Sequence, residues 1–342
     1  MWTLKFIKRS LLRCLLYPVF SRYVSMPGRS FKGTLSELTP DEKVVEAKLR
    51  FHVDSLAVGI GVRHAASSDS LRRAAKYILV QFIRRGYAVS MESFEFDGVT
   101  QQIVVAEITG LRHPEEIIVI GAHYDTVLGS AGADDNASGI AALLEIAAML
   151  KDRPLDRTVR FVAFPNEEYH GEDWRNMGSY HHAKRSFDRG DKIVGMISLE
   201  MLGYFSNTPD SQLYPFPFNL FYPDRGNFIG FVGNNKSRAW VREVIGNFRE
   251  LARFPSEGVA PPERFEDIAR SDHWAFWQFD CPALMVTDTS NFRFPHLHKM
   301  DDTPDKLDFA AMSRITIGMA KVIERLARTR RVWSRRAGKF VS

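Results

Sequence analysis

Histidine and carboxylate side chains recur at five places along the chain, each directly after a run of residues that is typical of a β-strand. The five segments are GAHYD (121–125), GADDNASG (132–139), PNEEY (165–169), ISLEMLG (197–203) and FPHLHKMDDT (294–303). Imidazole nitrogen and carboxylate oxygen are preferred zinc ligands, and an Asp or Glu can bridge two ions. Together the five segments predict a zinc centre, although each of them alone also fits a structural role.

Several acids in these segments stand where a buried charge needs compensation. Glu167 and Glu168 directly follow an apolar run, and Glu200 lies inside another. A buried carboxylate is costly unless a cation or hydrogen bonds compensate it. Asp134 and Asp135 precede an Ala-rich helix, where an N-cap accounts for one acid but leaves the other unexplained. A metal cation is a good candidate partner for such acids.

Histidines would supply the nitrogen ligands of this centre. His123 and Asp125 point the same way on an extended backbone, so that the carboxylate can orient the imidazole. His296 and His298 form a second pair close to an Asp-Asp-Thr sequence, and the sequence SDHW at 271–274 adds another acid–imidazole pair. A single histidine at a strand end is more often structural, so the prediction depends on these groups coming together in the fold.

The segments between the candidate residues alternate between strand-like and helix-like patterns. Strands are predicted at 102–109, 117–121, 159–164, 194–199 and 283–287. Helices are predicted at 41–58, 70–86, 139–150, 178–186, 236–252 and 308–328. The pattern predicts an α/β fold with a mixed, mostly parallel central sheet and helices on both faces. In such sheets, sites gather at the carboxyl ends of the strands.

Residues 204–232 depart from this alternation. They contain nine Tyr or Phe residues and four prolines. We interpret the segment as an irregular excursion from the sheet, whose rings either pack as a secondary core or line a pocket. The second alternative predicts an apolar site for a terminal side chain, because the segment follows directly on Glu200.

The composition is that of a globular protein with one large domain or two: 342 residues, 45% hydrophobic and 25% charged. With only two cysteines, Cys14 and Cys281, neither a disulfide framework nor a cysteine-bound metal is expected. Residues 1–36 and 325–342 each carry seven Lys or Arg and no acid. The remaining residues include 32 basic and 41 acidic ones, a net charge of −9. We therefore expect no nucleic-acid binding by the folded body.

The N-terminal segment, residues 1–36, combines basic residues with an apolar run at 11–20. The run is too short to span a bilayer, and Arg13 interrupts it. Three interpretations stay open: a signal peptide or signal anchor, a basic amphipathic segment on a membrane surface, or a disordered tail. The first two predict a membrane-associated or exported protein, and the third fits a cytoplasmic one. A folded domain at 37–328 and a basic C-terminal tail at 329–342 complete the predicted organisation.

The motifs and their order resemble those of the co-catalytic zinc exopeptidases. The resemblance is carried by His123-x-Asp125, GADDNASG, Asn-Glu-Glu at 166–168, Ser-Leu-Glu-Met at 198–201 and His298-x-x-x-Asp302-Thr303, and it covers about residues 40–328. That family includes bacterial leucyl aminopeptidases, aminopeptidase Y, glutamate carboxypeptidase II and the non-catalytic transferrin receptor. Glutaminyl cyclases share the fold more distantly. The resemblance implies a phosphorylase/hydrolase-type α/β fold, two zinc ions per chain and a peptide substrate.

Carried over to this chain, the resemblance also implies which residues bind metal. The ligands would be His123 and Glu200 for one zinc, Glu168 and His298 for the other, and Asp135 for both. Asp125 would orient His123, while Asp272 and His273 would support the site without binding metal. Many members have Asp where this chain has Glu200, which offers the same carboxylate on a longer arm.

Two of these assignments involve a choice between neighbours. Asp135 is preferred to Asp134, because the family pattern is Asp, two residues and then Ser-Gly, which matches 135–139. His298 is preferred to His296, because the family's ligand stands four residues before the Asp of Asp-Thr.

The implied chemistry is hydrolysis of a terminal peptide bond. A water held between two zinc ions becomes hydroxide near neutral pH, and Glu167 is the general base that takes its proton and passes it to the leaving amine. An aminopeptidase that prefers bulky, uncharged residues is the first choice. The alternatives are a carboxypeptidase of the same family, a single-zinc acyltransferase like glutaminyl cyclase, and a non-catalytic binding protein. Retention of every ligand and of the base favours the two-zinc hydrolase; the oligomeric state stays open.

Overall fold

The computed structural model describes residues 2–328, 332–334 and 339–341. Eight strands form the central sheet: β1 (Val89–Phe96), β2 (Val99–Ile108), β3 (His113–His123), β4 (Arg157–Phe164), β5 (Lys192–Glu200), β6 (Ile229–Gly233), β7 (Ser256–Val259) and β8 (Ala283–Thr287). Their order across the sheet is β1-β2-β4-β3-β5-β8-β6-β7. The pairs β3–β4, β3–β5, β5–β8 and β6–β7 are parallel, and the other three are antiparallel. The predicted mixed, mostly parallel sheet is confirmed.

Helices cover both faces of this sheet, as predicted. They are α1 (Trp2–Val24), α2 (Pro40–Val53), α3 (Ser68–Arg84), α4 (Gly139–Leu150), α5 (Gly178–Arg189), α6 (Arg238–Leu251), α7 (His273–Trp277) and α8 (Phe309–Arg328). Buried residues of α2, α3, α4, α6 and α8 share one core, and those of α5 and α7 share a second one. β4 is buried along its whole length, with Phe161 in the first core and Phe164 in the second. Alternation along the strand therefore places the sheet between two apolar layers.

Helix α2 begins where the sequence predicts. Thr39 Oγ1 accepts a hydrogen bond from the N–H of Glu42 (3.2 Å), and the N–H of Thr39 donates to the Glu42 carboxylate (2.7 Å). This reciprocal capping satisfies two N–H groups at the helix start. The helix predicted to reach residue 58 ends at Val53 and continues as a π-helical turn to Ile60.

Of the helices and central-sheet strands given above, the sequence patterns missed five: α1, α7, β1, β6 and β7. The expectation that residues 204–232 are irregular throughout is wrong at the end of the segment, because β6 begins at Ile229. Its sequence, Ile-Gly-Phe-Val-Gly, contains two glycines, which weaken a strand pattern. The strand forms because it is buried between β8 and β7.

The two ends of the chain differ in how much of them the structure describes. Residues 20–36 lie against the fold rather than apart from it, through contacts with α6, β7 and α8. Of the predicted tail 329–342, residues 332–334 and 339–341 pair as the antiparallel strands β9 (Val332–Ser334) and β10 (Lys339–Val341), and the rest lies outside the described residues. Among the described helices, none is both long enough and apolar enough to cross a bilayer. The boundaries at 36/37 and 328/329 stay predictions.

Candidate metal centre

Three neighbouring strands bring the predicted residues to one edge of the sheet. β3 ends at His123, and β5 beside it ends at Glu200. β4, on the other side of β3, ends at Phe164, just before Glu167 and Glu168. The three strands run parallel, so their carboxyl ends meet at one place, where sites in open α/β sheets form.

The remaining two predicted ligands come from loops. Asp135 precedes α4 and lies between two histidines: its Oδ1 is 3.3 Å from His123 Nε2, and its Oδ2 is 3.1 Å from His298 Nε2. Glu200 Oε2 lies 3.4 Å from His123 Nε2, and Glu168 Oε2 lies 3.2 Å from His298 Nε2. The structure thus brings the five residues together, with Asp135 in the central position that a bridging ligand requires.

The atoms available for metal binding form two groups. In the first, one atom each of His123, Glu167 and Glu200 lie within 4.8 Å of one another. In the second, atoms of Asp135, Glu168 and His298 do so. Glu167, predicted to be the general base, therefore lies among the ligands of the first group. Which of these residues bind metal and which acts as the general base stays a prediction.

Buried polar atoms without partners test whether a metal fits here. Both ring nitrogens of His123, Oδ1 of Asp135 and Oε1 of Glu168 lack a hydrogen-bond partner among the described residues. Leaving a buried polar atom unpaired costs about 1–3 kcal/mol, more for a charged group. Four carboxylates around two imidazoles also leave an excess of negative charge. Zinc ligation would satisfy Nε2 of His123, the two oxygens and the charge, while Nδ1 of His123 faces Asp125, so the residues fit this metal.

The same charges shift proton affinities within the centre. Hydrogen bonding of the His298 ring to Asp135 and Glu168 raises its pKa to about 11. Burial raises the pKa of Glu168 to about 8, and repulsion from Asp135 adds to the shift. Burial also raises the pKa of Glu167, with further repulsion from Glu168 and Glu200. The centre therefore attracts positive charge and contains a carboxyl group that takes up protons readily.

Asp125 connects two of the strand ends. Its carboxylate is fully buried and accepts hydrogen bonds from the N–H groups of Glu167 (3.1 Å) and Glu168 (3.0 Å). Its Oδ1 also lies 3.4 Å from His123 Nδ1, the contact that the sequence predicts. Asp125 therefore fixes the backbone that carries the predicted base, a role that the sequence alone did not indicate.

Asp302 holds the loop that presents the predicted bridging ligand. Its two carboxylate oxygens accept from the N–H groups of Asp134 (2.9 Å) and Asp135 (3.2 Å). The Asp134 carboxylate accepts from the N–H of Gly203 (2.8 Å), whereas Asp135 contacts the histidines. The geometry thus agrees with the choice of Asp135 over Asp134.

Two polar residues of the same loop were not singled out by the sequence. Asn136 accepts from the N–H of Met201 (3.1 Å) and donates to the carbonyl of Leu199 (2.9 Å). Ser138 accepts from the N–H of Leu202 (2.9 Å). Asn136 thus binds the backbone on both sides of Glu200, and Ser138 binds it two residues beyond Glu200. The sequence signal that could have identified them is the presence of small polar residues directly after two acids, at the start of an apolar helix.

The SDHW sequence lies behind Glu200. Ser271 Oγ donates to Glu200 Oε2 (2.7 Å). Asp272 is fully buried, and burial raises its pKa to about 7. Burial lowers the pKa of His273 to about 4, and its Nε2 donates to the carbonyl of Ile268 (2.7 Å). Asp272 and His273 lie outside both ligand groups, and their supporting role stays a prediction; Ser271 is the residue that contacts Glu200.

The two candidate histidines of the fifth segment have different partners. His296 Nδ1 lies 2.6 Å from Asp301 Oδ2 on the surface and belongs to neither ligand group. His298 reaches Asp135 and Glu168 from a backbone with φ of +58°. The geometry therefore agrees with the choice of His298.

Arg63 is the main residue of the site that the sequence did not reveal. Its side chain is fully buried and donates to five main-chain carbonyls, those of Leu56, Gly61, Tyr124, Ala131 and Gly132, at 2.7–3.1 Å. Tyr124 follows the predicted ligand His123, and Gly132 precedes the loop with Asp135. Burial lowers the pKa of Arg63 to about 10, and the charges of Asp302, Asp125 and Asp135 oppose this shift. Arg63 thus stays cationic and ties two ligand loops together.

A cavity of about 440 Å³ adjoins the ligand groups. Five of the nine rings in segment 204–232 line it: Tyr214, Phe218, Tyr222, Phe228 and Phe231. Further apolar lining residues include Phe265, Ile268, Met285 and Phe292. Apart from the ligand groups, its acidic or basic lining residues are His170, Glu257, Asp267 and Arg270. The structure therefore supports the interpretation in which rings of segment 204–232 line a pocket.

Comparison with known proteins places the chain among peptidases. Residues 104–323, more than half of the chain, match the model of peptidase family M28. The uncharacterized protein YfbL of Escherichia coli K12 is 36% identical over 270 residues, which cover 76% of this chain and 82% of that protein.

Two further similarities concern aminopeptidases. Leucine aminopeptidase 1 of Arthroderma otae is 27% identical over 238 residues, covering 66% of this chain and 58% of that longer protein. The structure of BSAP, a zinc aminopeptidase from Bacillus subtilis, superimposes with a TM-score of 0.67 at 13% identity, covering 83% of this chain and 95% of that one. At this level of identity, the second similarity establishes the fold.

Proposed function

The chain belongs to peptidase family M28, and we propose that it is a zinc-dependent aminopeptidase that removes bulky, apolar residues from peptides. The observation that carries the proposal is the position of the two ligand groups beside a largely aromatic cavity: Asp135, Glu167, Glu168, Glu200 and His298 also line that cavity. The similarity to leucine aminopeptidase 1 supports the same activity.

Two zinc ions are proposed, one for each ligand group. His123 and Glu200 would hold one, Glu168 and His298 the other, and Asp135 both. When bound, zinc supplies Lewis acidity that activates water and polarises the scissile carbonyl. The unpartnered Nε2 of His123 and the central position of Asp135 support this assignment.

Glu167 is the proposed general base. Asp125 holds its backbone N–H, and its carboxylate lies near His123 and Glu200. It takes a proton from the attacking water and delivers it to the nitrogen of the leaving amine as the C–N bond breaks. Burial raises the pKa of Glu167 well above its ordinary value, which suits both steps, since the carboxyl group must accept and then return the proton.

The charge around the cavity supports an amino-terminal substrate. The acidic lining residues are Asp135, Glu167, Glu168, Glu200, Glu257 and Asp267. Arg270 is the only Lys or Arg among the lining residues that the structure describes, and its guanidinium lies 3.3 Å from Asp267. Zinc would compensate the four carboxylates of the ligand groups, Asp267 is paired with Arg270, and Glu257 lies 3.6 Å from Arg249. A carboxypeptidase needs a free cationic group for the terminal carboxylate, and the described lining residues offer none, which favours the aminopeptidase over the carboxypeptidase alternative.

A substrate screen tests this proposal. The zinc-loaded protein is offered leucine and phenylalanine amides, peptides with a carboxyl-terminal Glu, and a peptide with amino-terminal Gln. Faster release of ammonia from the two amides is expected. Preferred release of carboxyl-terminal Glu would support the carboxypeptidase, and cyclisation of Gln without amide hydrolysis would support the acyltransferase. Turnover of none of them would contradict the proposed activity.

We also propose that helix α1 rests on an anionic membrane surface. Residues 1–36 carry seven cations and no acid, and Leu11, Leu15 and Val19 are 60%, 72% and 61% exposed. Apolar side chains that enter the headgroup region while nearby cations meet anionic lipid produce reversible attachment. Vesicles containing phosphatidylserine should retain the protein at low salt and release it at high salt. Equal binding by a variant with Leu11, Leu15 and Val19 changed to Ser would refute the proposal.

A further inference from the structure

The N-terminal segment also lies against the substrate cavity, outside the residues that match the family model. We infer that residues 20–30 form the outer support of this cavity and that Phe20 is a positioning residue for its fit to bulky side chains, an inference that rests on the proposed function for its substrate. Three sets of contacts hold residues 20–30 against the cavity wall: an aromatic contact, hydrogen bonds at the edge of the sheet and those of a buried arginine side chain.

The aromatic contact joins α1 directly to a lining ring. The Phe20 ring meets Phe218 edge-on, with centroids 6.0 Å apart, and stacks on Phe221 at 6.0 Å. Phe218 is 5% exposed, lines the cavity and packs edge-on against Phe265, a second lining ring, at 5.3 Å. Phe20 therefore stands directly behind the aromatic wall, where it limits the positions open to Phe218.

The edge of the sheet provides the second set of contacts. β7 is the edge strand beside β6, and its residues 257–259 line the cavity. The N–H of Ser256 donates to Ser30 Oγ (2.9 Å), and the N–H of Ala260 donates to the carbonyl of Tyr23 (2.9 Å). The segment thus satisfies donors at both ends of an edge strand whose N–H groups would otherwise need water.

A buried arginine fixes the segment between these two points. Arg249 donates to the carbonyls of Pro27 (3.0 Å) and Ser256 (2.8 Å), so that it joins the segment to β7. Met26 lies so close to Gly258 that a β-carbon there would come within 2.9 Å of the Met26 side chain. Gly258 is itself a lining residue and accepts from the hydroxyl of Tyr222, another lining residue. Residues 26–30 therefore lie behind the part of the cavity wall that contains Gly258.

The packed face of α1 differs from the face proposed to meet lipid. Leu11 and Leu15 precede Phe20 by nine and five residues, which places them on the opposite side of an α-helix, and Val19 lies about 100° from Phe20 around the helix axis. The two roles thus depend on different side chains, and each can be removed without the other.

Phe20→Ala tests the inference in the full-length, zinc-loaded protein. KM for phenylalanine amide should rise about two- to tenfold, as expected when an aromatic pair is lost, while kcat changes less. Both constants for alanine amide, which does not reach the wall, should stay unchanged. Phe20→Tyr should restore the wild-type KM. Phe187→Ala is the matched control: Phe187 is 56% exposed and contacts Phe279 at 5.4 Å, away from the cavity.

Hydrogen–deuterium exchange tests the same wall without turnover. Peptides covering 215–222 should exchange faster in Phe20→Ala than in the wild type or in Phe187→Ala. Unchanged exchange there, or an equal rise in KM for both amides, would overturn the inference. If the wild-type protein cleaves neither amide, the proposed function fails, and exchange at 215–222 alone decides whether Phe20 supports the wall.

Discussion

Replacing Arg63 tests whether one buried guanidinium holds the metal centre together. In Arg63→Lys the positive charge remains, but the planar guanidinium group, which donates hydrogen bonds to carbonyls on several sides, is lost. The ligand side chains themselves are unchanged. Any loss of zinc affinity would therefore come from the backbone around His123 and Asp135, which Arg63 fixes through the carbonyls of Tyr124 and Gly132.

The contacts of Arg63 set the expected size of the effect. Of the five carbonyls that accept from it, those of Gly61, Tyr124 and Ala131 have no other donor in the part of the chain that the structure describes. A lysine that leaves two of them unpaired should lower the free energy of unfolding by roughly 2–6 kcal/mol, at about 1–3 kcal/mol each. Disturbing residues that orient metal ligands typically costs about 10–100-fold in metal affinity.

Two measurements separate the role in the metal centre from general stability. Zinc affinity is measured by competition with a chromophoric chelator, and stability by urea unfolding of the zinc-free protein. The control is Arg157→Lys, at the amino end of β4, where a 3% exposed arginine donates to Glu116 (2.6 Å). The control should lose stability and keep its zinc affinity, whereas Arg63→Lys should lose both. Wild-type zinc affinity in Arg63→Lys would refute this role of Arg63.

Two further variants test the chemistry and the acid stability. Glu167→Gln should fold and bind zinc but lose turnover by roughly 10²–10⁴-fold, the usual contribution of a general base, and near-normal turnover of leucine amide would exclude Glu167 as the base. Burial opposes ionisation of Glu92, but hydrogen bonding to His182 and the charges of Arg189 and Arg185 bring its pKa down to about 2. Its carboxylate therefore stabilises the fold above its ordinary pKa of 4.5, and this contribution is lost as the pH falls towards 2. In Glu92→Gln, the urea concentration at half-unfolding should fall less steeply as the pH is lowered from 4.5 to about 2. The same pH dependence as in the wild type would contradict the contribution of Glu92.

The sequence predicts those parts of the site that depend on local pattern. The apolar run of β4 locates Glu167 and Glu168 at a strand end, and the end of β5 does the same for Glu200. The parallel sheet then brings these ends together, which a pattern of alternating strands and helices already implies. The choice of Asp135 over Asp134 came from family resemblance, because nothing in the sequence says which of two adjacent acids turns to which side.

Contacts between distant residues could not be predicted in this way. Arg63 stands in an irregular segment, and its importance depends on loops 61–69 residues further along the chain. The contact of Phe20 with Phe218 likewise joins residues almost 200 positions apart, and a basic, apolar N-terminus fits a membrane segment equally well. β7 was missed because an edge strand of four residues carries little periodic signal.

Zinc content per chain tests the proposed metal centre most directly. After dialysis against buffered zinc, elemental analysis of the wild-type protein should give two zinc ions per chain, and activity lost to a chelator should return with zinc. Glu168→Gln, which removes a ligand from the group containing His298, should bind fewer ions. One ion in the wild type would favour the single-zinc acyltransferase. A folded, active protein without any transition metal would contradict the metal centre altogether.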